Sequence, residues 1–135
     1  MRIAVIDGQG GGMGRAIVER LRLEFNGTVS IIVLGTNALA TSNMLKGGAD
    51  EGASGENAIV FNASKVDFII GSVGIIAANA MLGEMTPLMA RAIAESPAKK
   101  ILIPLNKCHF HVAGVKNEAP GYFIEEAVSF IKQNI

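Results

Sequence analysis

The stretch MRIAVIDGQGGGMGRAIVERLRLEF, residues 1–25, decides the fold. Ile3 to Ile6 is a short apolar, β-rich run that ends in a glycine cluster, the pattern of a strand buried on both faces. From Met13 the period changes. Met13, Ile17, Leu21 and Phe25 recur every four residues with Gly14 and Val18 alongside, while Arg15, Glu19, Arg20 and Glu24 fall on the opposite face. Asn26 and Gly27 then stop the helix. A buried strand, a glycine turn and an amphipathic helix make the first half of a βαβ unit.

Val29 to Leu34 is a second buried-strand run, ended by Gly35, Thr36 and Asn37, and it completes that unit. Ala38 to Lys46 reads as a helix and Gly47 to Gly55 as a polar loop. Ala58 to Phe61 is a weak third strand, and Phe68 to Ile70 a stronger fourth. Ile75 to Leu82 reads as a helix that is apolar nearly all round. In the next helix Thr86 caps, Pro87 takes the first position, and Ser96 and Pro97 close. Ile101 to Leu105 is a fifth strand, an edge because of Pro104. Val112 to Val115 is a candidate sixth, which would have to pair antiparallel because no crossover helix fits before it. Pro120 to Ile135 closes as an amphipathic helix with Phe123, Ala127, Ile131 and Ile135 on one stripe. The expected fold is α/β: a doubly wound, mostly parallel sheet of five or six strands in the order 3-2-1-4-5, Rossmann-like, with helices on both faces and one domain over 1–135.

With 12 basic and 12 acidic residues among 135, the chain lacks the positive field that attracts nucleic acid or an anionic membrane. Half the residues are hydrophobic and mean hydropathy is +0.39, yet every apolar run stops well short of the ~20 residues a membrane span requires. The apolar excess is therefore assigned to the core and to a subunit interface, with Ile75 to Leu82 as the face a homodimer would cover. A single cysteine, Cys108, and a strand pattern that begins at once at the N-terminus fit a cytoplasmic protein.

In an open parallel sheet ligands bind beyond the carboxyl ends of the strands, so the residues that follow each strand are the candidates. DGQGGGMG holds a GxGxxxG pattern at Gly8, Gly10 and Gly14, between strand and helix. Gly8, Gln9, Gly10, Gly11, Gly12, Met13 and Gly14 are expected to cradle a phosphate through bare backbone and the dipole of the helix. It is no Walker loop, since no GK[ST] follows; a tight turn that binds nothing is the bland alternative. Asp7 would repel a phosphate there unless a cation or a hydrogen bond intervenes. Thr36 and Asn37 end the second strand with no acidic residue for a ribose 2′-hydroxyl, which favours NADP over NAD and leaves a mononucleotide open. Ser72 and Gly74, within GSVG, would run beneath a ribose or diphosphate, or form only a turn. Asn106 could reach the cofactor, and Lys107 and His109 are the candidate catalytic groups. If the segment is extended, His109 and His111 share a face and Cys108 points away, which argues against a Cys–His dyad. Two histidines fall short of a zinc site, so no metal is expected, and a histidine packed for structure is the alternative for His109. Met81, Met85 and Met89 are assigned to core or dimer packing.

Through DGQGGG, the GGAD and GEN stretch, VDFIIGSVGI, GEMTPLMA and KKILIPLNKC, nearly the whole chain resembles a family of short prokaryotic proteins known only as a domain of unknown function. The first 25 residues and Asn106 are more distantly similar to nicotinamide-dependent dehydrogenases, a likeness of fold. The leading expectation is a module that binds a phosphate-bearing nucleotide. A small homo-oligomeric NAD(P)-dependent oxidoreductase, or a structural subunit that has lost its ligand, are the alternatives.

Overall fold

The computed structural model describes residues 1–105 and 109–135. Five strands, β1 (Arg2–Asp7), β2 (Ser30–Gly35), β3 (Glu51–Ser54), β4 (Phe68–Ser72) and β5 (Lys99–Ile103), form one sheet in the order β3-β2-β1-β4-β5, and all four pairings are parallel. Among the described residues five helices flank it: α1 (Gly12–Phe25), α2 (Ala38–Lys46), α3 (Glu56–Asn62), α4 (Pro87–Glu95) and α5 (Pro120–Gln133). The order 3-2-1-4-5 is the one the sequence implies.

The central strands are apolar through their middle, Ile3 to Ile6, Ile31 to Leu34 and Phe68 to Ile70, because both faces are covered. Ile3, Val5, Ile31, Val33, Phe68 and Ile70 pack with α1 and α5 in one core, and Ala4, Ile6, Ile32, Leu34 and Ile69 pack with α3 and α4 in the other. Helix α1 buries Gly14, Ile17, Val18, Leu21 and Phe25, its expected stripe with Met13 only partly covered. Asn26 ends it in the left-handed region at φ 47°, its N–H donating to the Arg22 carbonyl. Thr86 caps α4 by accepting the Met89 N–H, and Pro87 stands at the first turn.

Four local readings need correction. The third strand is Glu51–Ser54, in what reads as a polar loop; the run Ala58 to Phe61 lies in α3, which buries only Ile59 fully. Residues Val73–Ile76 form a 3₁₀ turn, and the chain then passes through left-handed Asn79, Met81, Leu82 and Gly83, so Ile75 to Leu82 is no α-helix. Ile75, Ala77 and Ala80 are buried in the core of their own chain, which leaves Ala78 and Leu82 as the exposed apolar residues of that segment. Val112 to Val115 is a turn around Gly114 (φ 84°) and no strand. In α5 the buried residues are Ile124, Ala127, Val128 and Ile131, while Ile135 is exposed.

Candidate functional site

Because the strands are parallel, their carboxyl ends share one rim, and chain order reverses between β1 and β4. The crevice outside such a reversal is where open α/β sheets hold ligands. The DGQGGGMG turn leaves β1 at this point. Gln9 and Gly11 both turn left-handed, at φ 51° and 73°, and the Gly11 N–H closes the turn on the Gly8 carbonyl at 2.9 Å. Gly11 is also pressed against α2, since a Cβ would stand 2.6 Å from the Ala40 carbonyl oxygen. Gly14 faces Met44 and the Asp7 Cβ, so its bare backbone lets α1 lie close on β1 and α2, as the third glycine of a dinucleotide turn does. A Cβ at Gly10 or Gly12 would meet nothing within 4 Å.

Asp7 is buried beneath the turn, one carboxylate oxygen accepting the Gly8 N–H and the other the Gly14 N–H, both at 2.8 Å. Hydrogen bonds thus intervene at Asp7, one of the two conditions that the sequence sets for a phosphate to be tolerated beside it. Burial raises the Asp7 pKa above its ordinary 3.8, the two N–H donors pull against that shift, and the charge of Glu84 adds to it. The carboxylate satisfies part of the head of α1 from inside. Gly12 and Met13, the first two helical residues, keep N–H groups for which the helix has no carbonyl.

Above the turn lies Glu84, between the 3₁₀ turn and α4. Its Oε1 accepts the Gln9 N–H at 2.8 Å, the Thr36 hydroxyl at 2.7 Å and the Asn37 side-chain amide at 2.9 Å. The Gln9 N–H above all, then Thr36, hold its pKa below the ordinary 4.5 against a smaller effect of burial. The sequence reading missed Glu84, because its partners lie 75, 48 and 47 residues away and no local pattern links them. It also corrects the environment expected for Thr36 and Asn37. Both donate to a carboxylate rather than standing clear of negative charge. Asn37 in addition caps α2 by accepting the Ala40 N–H. A Cβ at Gly8 would lie 2.6 Å from both Met81 Sδ and Thr36 Oγ1, so the open side of the turn is Gly10 to Gly12.

Ser72 ends β4 with 2% exposure, and its hydroxyl has no hydrogen-bond partner among the described residues. Gly74 is buried in the 3₁₀ turn, its carbonyl accepting the Ala77 N–H. Asn106, Lys107 and Cys108 lie outside the described residues. His109 is exposed at φ 69°, no described hydrogen bond joins it to the glycine turn, and His111 is exposed too. The structure therefore gathers Gly8 to Gly14, Thr36 and Asn37 around Asp7 and Glu84, with Ser72 and Gly74 at the end of the adjacent strand. A separate cavity of about 600 Å³ opens along β5, lined by Ile101, Ile103, Val112, Tyr122, Phe130 and others.

A universal stress protein in complex with cAMP superposes with a TM-score of 0.43 and 17% identity, over 74% of this chain and 94% of that one. An FMN-dependent UbiX-like decarboxylase from Escherichia coli O157:H7, dodecameric in its crystal structure, superposes with a TM-score of 0.54 over 99% of this chain and 94% of that one. Its identity of 14% makes the likeness one of fold. No curated protein matches the chain. The model of the family described as Domain of unknown function (DUF3842) matches residues 2–135, glycine turn, Glu84 and all five strands included, and the chain belongs to that family.

Proposed function

We propose that this chain binds a phosphate-bearing nucleotide in the crevice beside the glycine turn, as a binding or regulatory module. One observation carries this: Gly10 and Gly12 leave open space over the head of α1, where the first helical N–H groups have no intrahelical acceptor. The Ser72 hydroxyl, without a partner among the described residues, stands on the same rim across the reversal point. In this arrangement phosphates lie over Gly10 to Met13 and a nucleoside over Thr36, Asn37 and Glu84. A dinucleotide, NADP or NAD, spans both. The UbiX-like neighbour is FMN-dependent, which supports the proposal only by analogy of fold.

An NAD(P)-dependent oxidoreductase is the second reading, and it requires Lys107 and His109 to reach the bound ligand. We further propose a homodimer, with the open edge of β5 as the face that a second copy covers.

Gly10→Ala tests the site. The new methyl meets no protein atom and Gly10 is not left-handed, so the fold should tolerate it. Affinity for NAD or NADP in calorimetry should fall at least about tenfold, as a Cβ intrudes on the phosphates. Unchanged affinity would remove the turn as the phosphate site.

A further inference from the structure

We infer that Glu84 recognises the ribose and selects a nucleotide with a free 2′-hydroxyl over one with a 2′-phosphate; this rests on the nucleotide site proposed above. In dinucleotide-binding turns a carboxylate at the end of the second strand accepts the ribose hydroxyls. Here β2 ends in Gly35, Thr36 and Asn37 with no acid. The fold supplies one from elsewhere, 48 residues beyond Thr36. All three donors that fix Glu84 converge on Oε1. Its other oxygen accepts from no described residue, and the side chain is only partly buried. A ribose diol beside Asn37 would meet a fixed acceptor there.

The segment that carries Glu84 closes on itself, the Gly83 N–H donating to the Asn79 carbonyl and the Met85 N–H to the Ala80 carbonyl, and it holds left-handed residues in doing so. Met81 and Leu82 are left-handed at φ 59° and 57°, a conformation that costs about 1–2 kcal/mol per residue for side chains of their kind, and Asn79, which tolerates it better, is left-handed at φ 66°. Leu82 is 98% exposed, so its apolar side chain returns nothing to the core. Strain of this kind persists where a fold must hold a group in one place. A 2′-phosphate brought to the same oxygen would meet the Glu84 charge with Asp7 beneath the turn, and no Lys or Arg pairs with Glu84 among the described residues.

NAD and NADP differ only in the 2′-phosphate, so calorimetry on the full chain with both is the direct experiment. NAD should bind at least about tenfold more tightly than NADP. Glu84→Gln keeps an oxygen for Gln9, Thr36 and Asn37 but puts an amide donor in place of the second oxygen, and should narrow that ratio to about threefold or less. A merely structural Glu84 would weaken both nucleotides alike. Should Gln disturb the segment, 5′-AMP against adenosine 2′,5′-bisphosphate on the wild-type chain checks the same selection with no variant. Equal affinities, a preference for the 2′-phosphate, or a ratio that Glu84→Gln leaves unchanged would overturn the role of Glu84 while keeping the turn as a nucleotide site. Binding of neither nucleotide by the wild-type chain would overturn the site itself, and this inference with it.

Discussion

Asp7 and Glu84 hold the glycine turn from below and above, and their pKa values are displaced in opposite directions. Asp7 is pushed above 3.8, so its contribution to stability is greatest at acid pH and declines as pH rises from 3.8 through its folded value. Glu84 is held below 4.5, so its contribution is present above 4.5 and is lost as pH falls through its folded value. Carboxyl NMR should show Asp7 inflecting above 3.8 and Glu84 below 4.5; the reverse displacement of either would contradict the burial or the donor set described for it. Removing the lower carboxylate should be costly. Asp7→Ala strands the Gly8 and Gly14 N–H groups, and a buried donor without a partner costs about 1–3 kcal/mol. Denaturant unfolding should report a loss in that range, and an unchanged midpoint would mean that water replaces the carboxylate. Sequence reveals one side of this clasp only. Asp7 adjoins the glycines it serves, so its place beside the turn is legible in DGQGGGMG, while its role as acceptor for Gly8 and Gly14 is not. Glu84 arrives by tertiary folding, just beyond the run Ile75 to Leu82 whose composition reads as an apolar helix.

Elements show the same division between local and non-local causes. Helices α1, α4 and α5 are legible because their determinants are local: a four-residue apolar period, Asn26 past one end, Thr86 and Pro87 at another. Strand β3 is not. Its residues Glu51, Gly52, Ala53 and Ser54 carry no apolar alternation, and it exists because its backbone completes the ladder of β2 at an edge. The Ala58 to Phe61 run has strand-forming residues, yet in α3 it needs only Ile59 inside, against the core below β2. Ile75 to Leu82 is apolar because Ile75, Ala77 and Ala80 enter that core from irregular backbone, which periodicity cannot distinguish from a buried helix. The left-handed Leu82 gives this segment a simple test. Asn tolerates φ 57° better than Leu and sacrifices no burial, so Leu82→Asn should leave stability unchanged or raise it by up to about 1 kcal/mol. A clear fall in the melting temperature would show that Leu82 is covered by another chain in solution.

At the scale of the molecule, the two edges of the sheet are unlike each other. The β3 edge is polar, short and largely exposed, a form that discourages pairing with another strand. The β5 edge is Lys99–Ile103, apolar after its two lysines, with Lys100, Ile101 and Leu102 only partly buried. Beside it lie the cavity of about 600 Å³ and the aromatic side chains of Tyr122 and Phe130, 53% and 38% exposed on α5. No sixth strand covers this edge among the described residues. The apolar excess of the composition goes largely to the double core, which takes in Ile75, Ala77 and Ala80, and part of it to this edge. A two-fold contact is the commonest way for identical chains to cover such a surface, because each copy offers the same patch to the other. Sedimentation equilibrium should accordingly find a dimer at micromolar concentration. Tyr122→Lys should shift the population toward monomer while the circular dichroism spectrum stays the same, since Tyr122 is 53% exposed and its edge contact with Phe123 is the one aromatic contact among the described residues that a lysine there removes. A wild-type monomer would leave the β5 edge without a second copy, and a Tyr122→Lys dimer as tight as the wild type would move the interface to a different face.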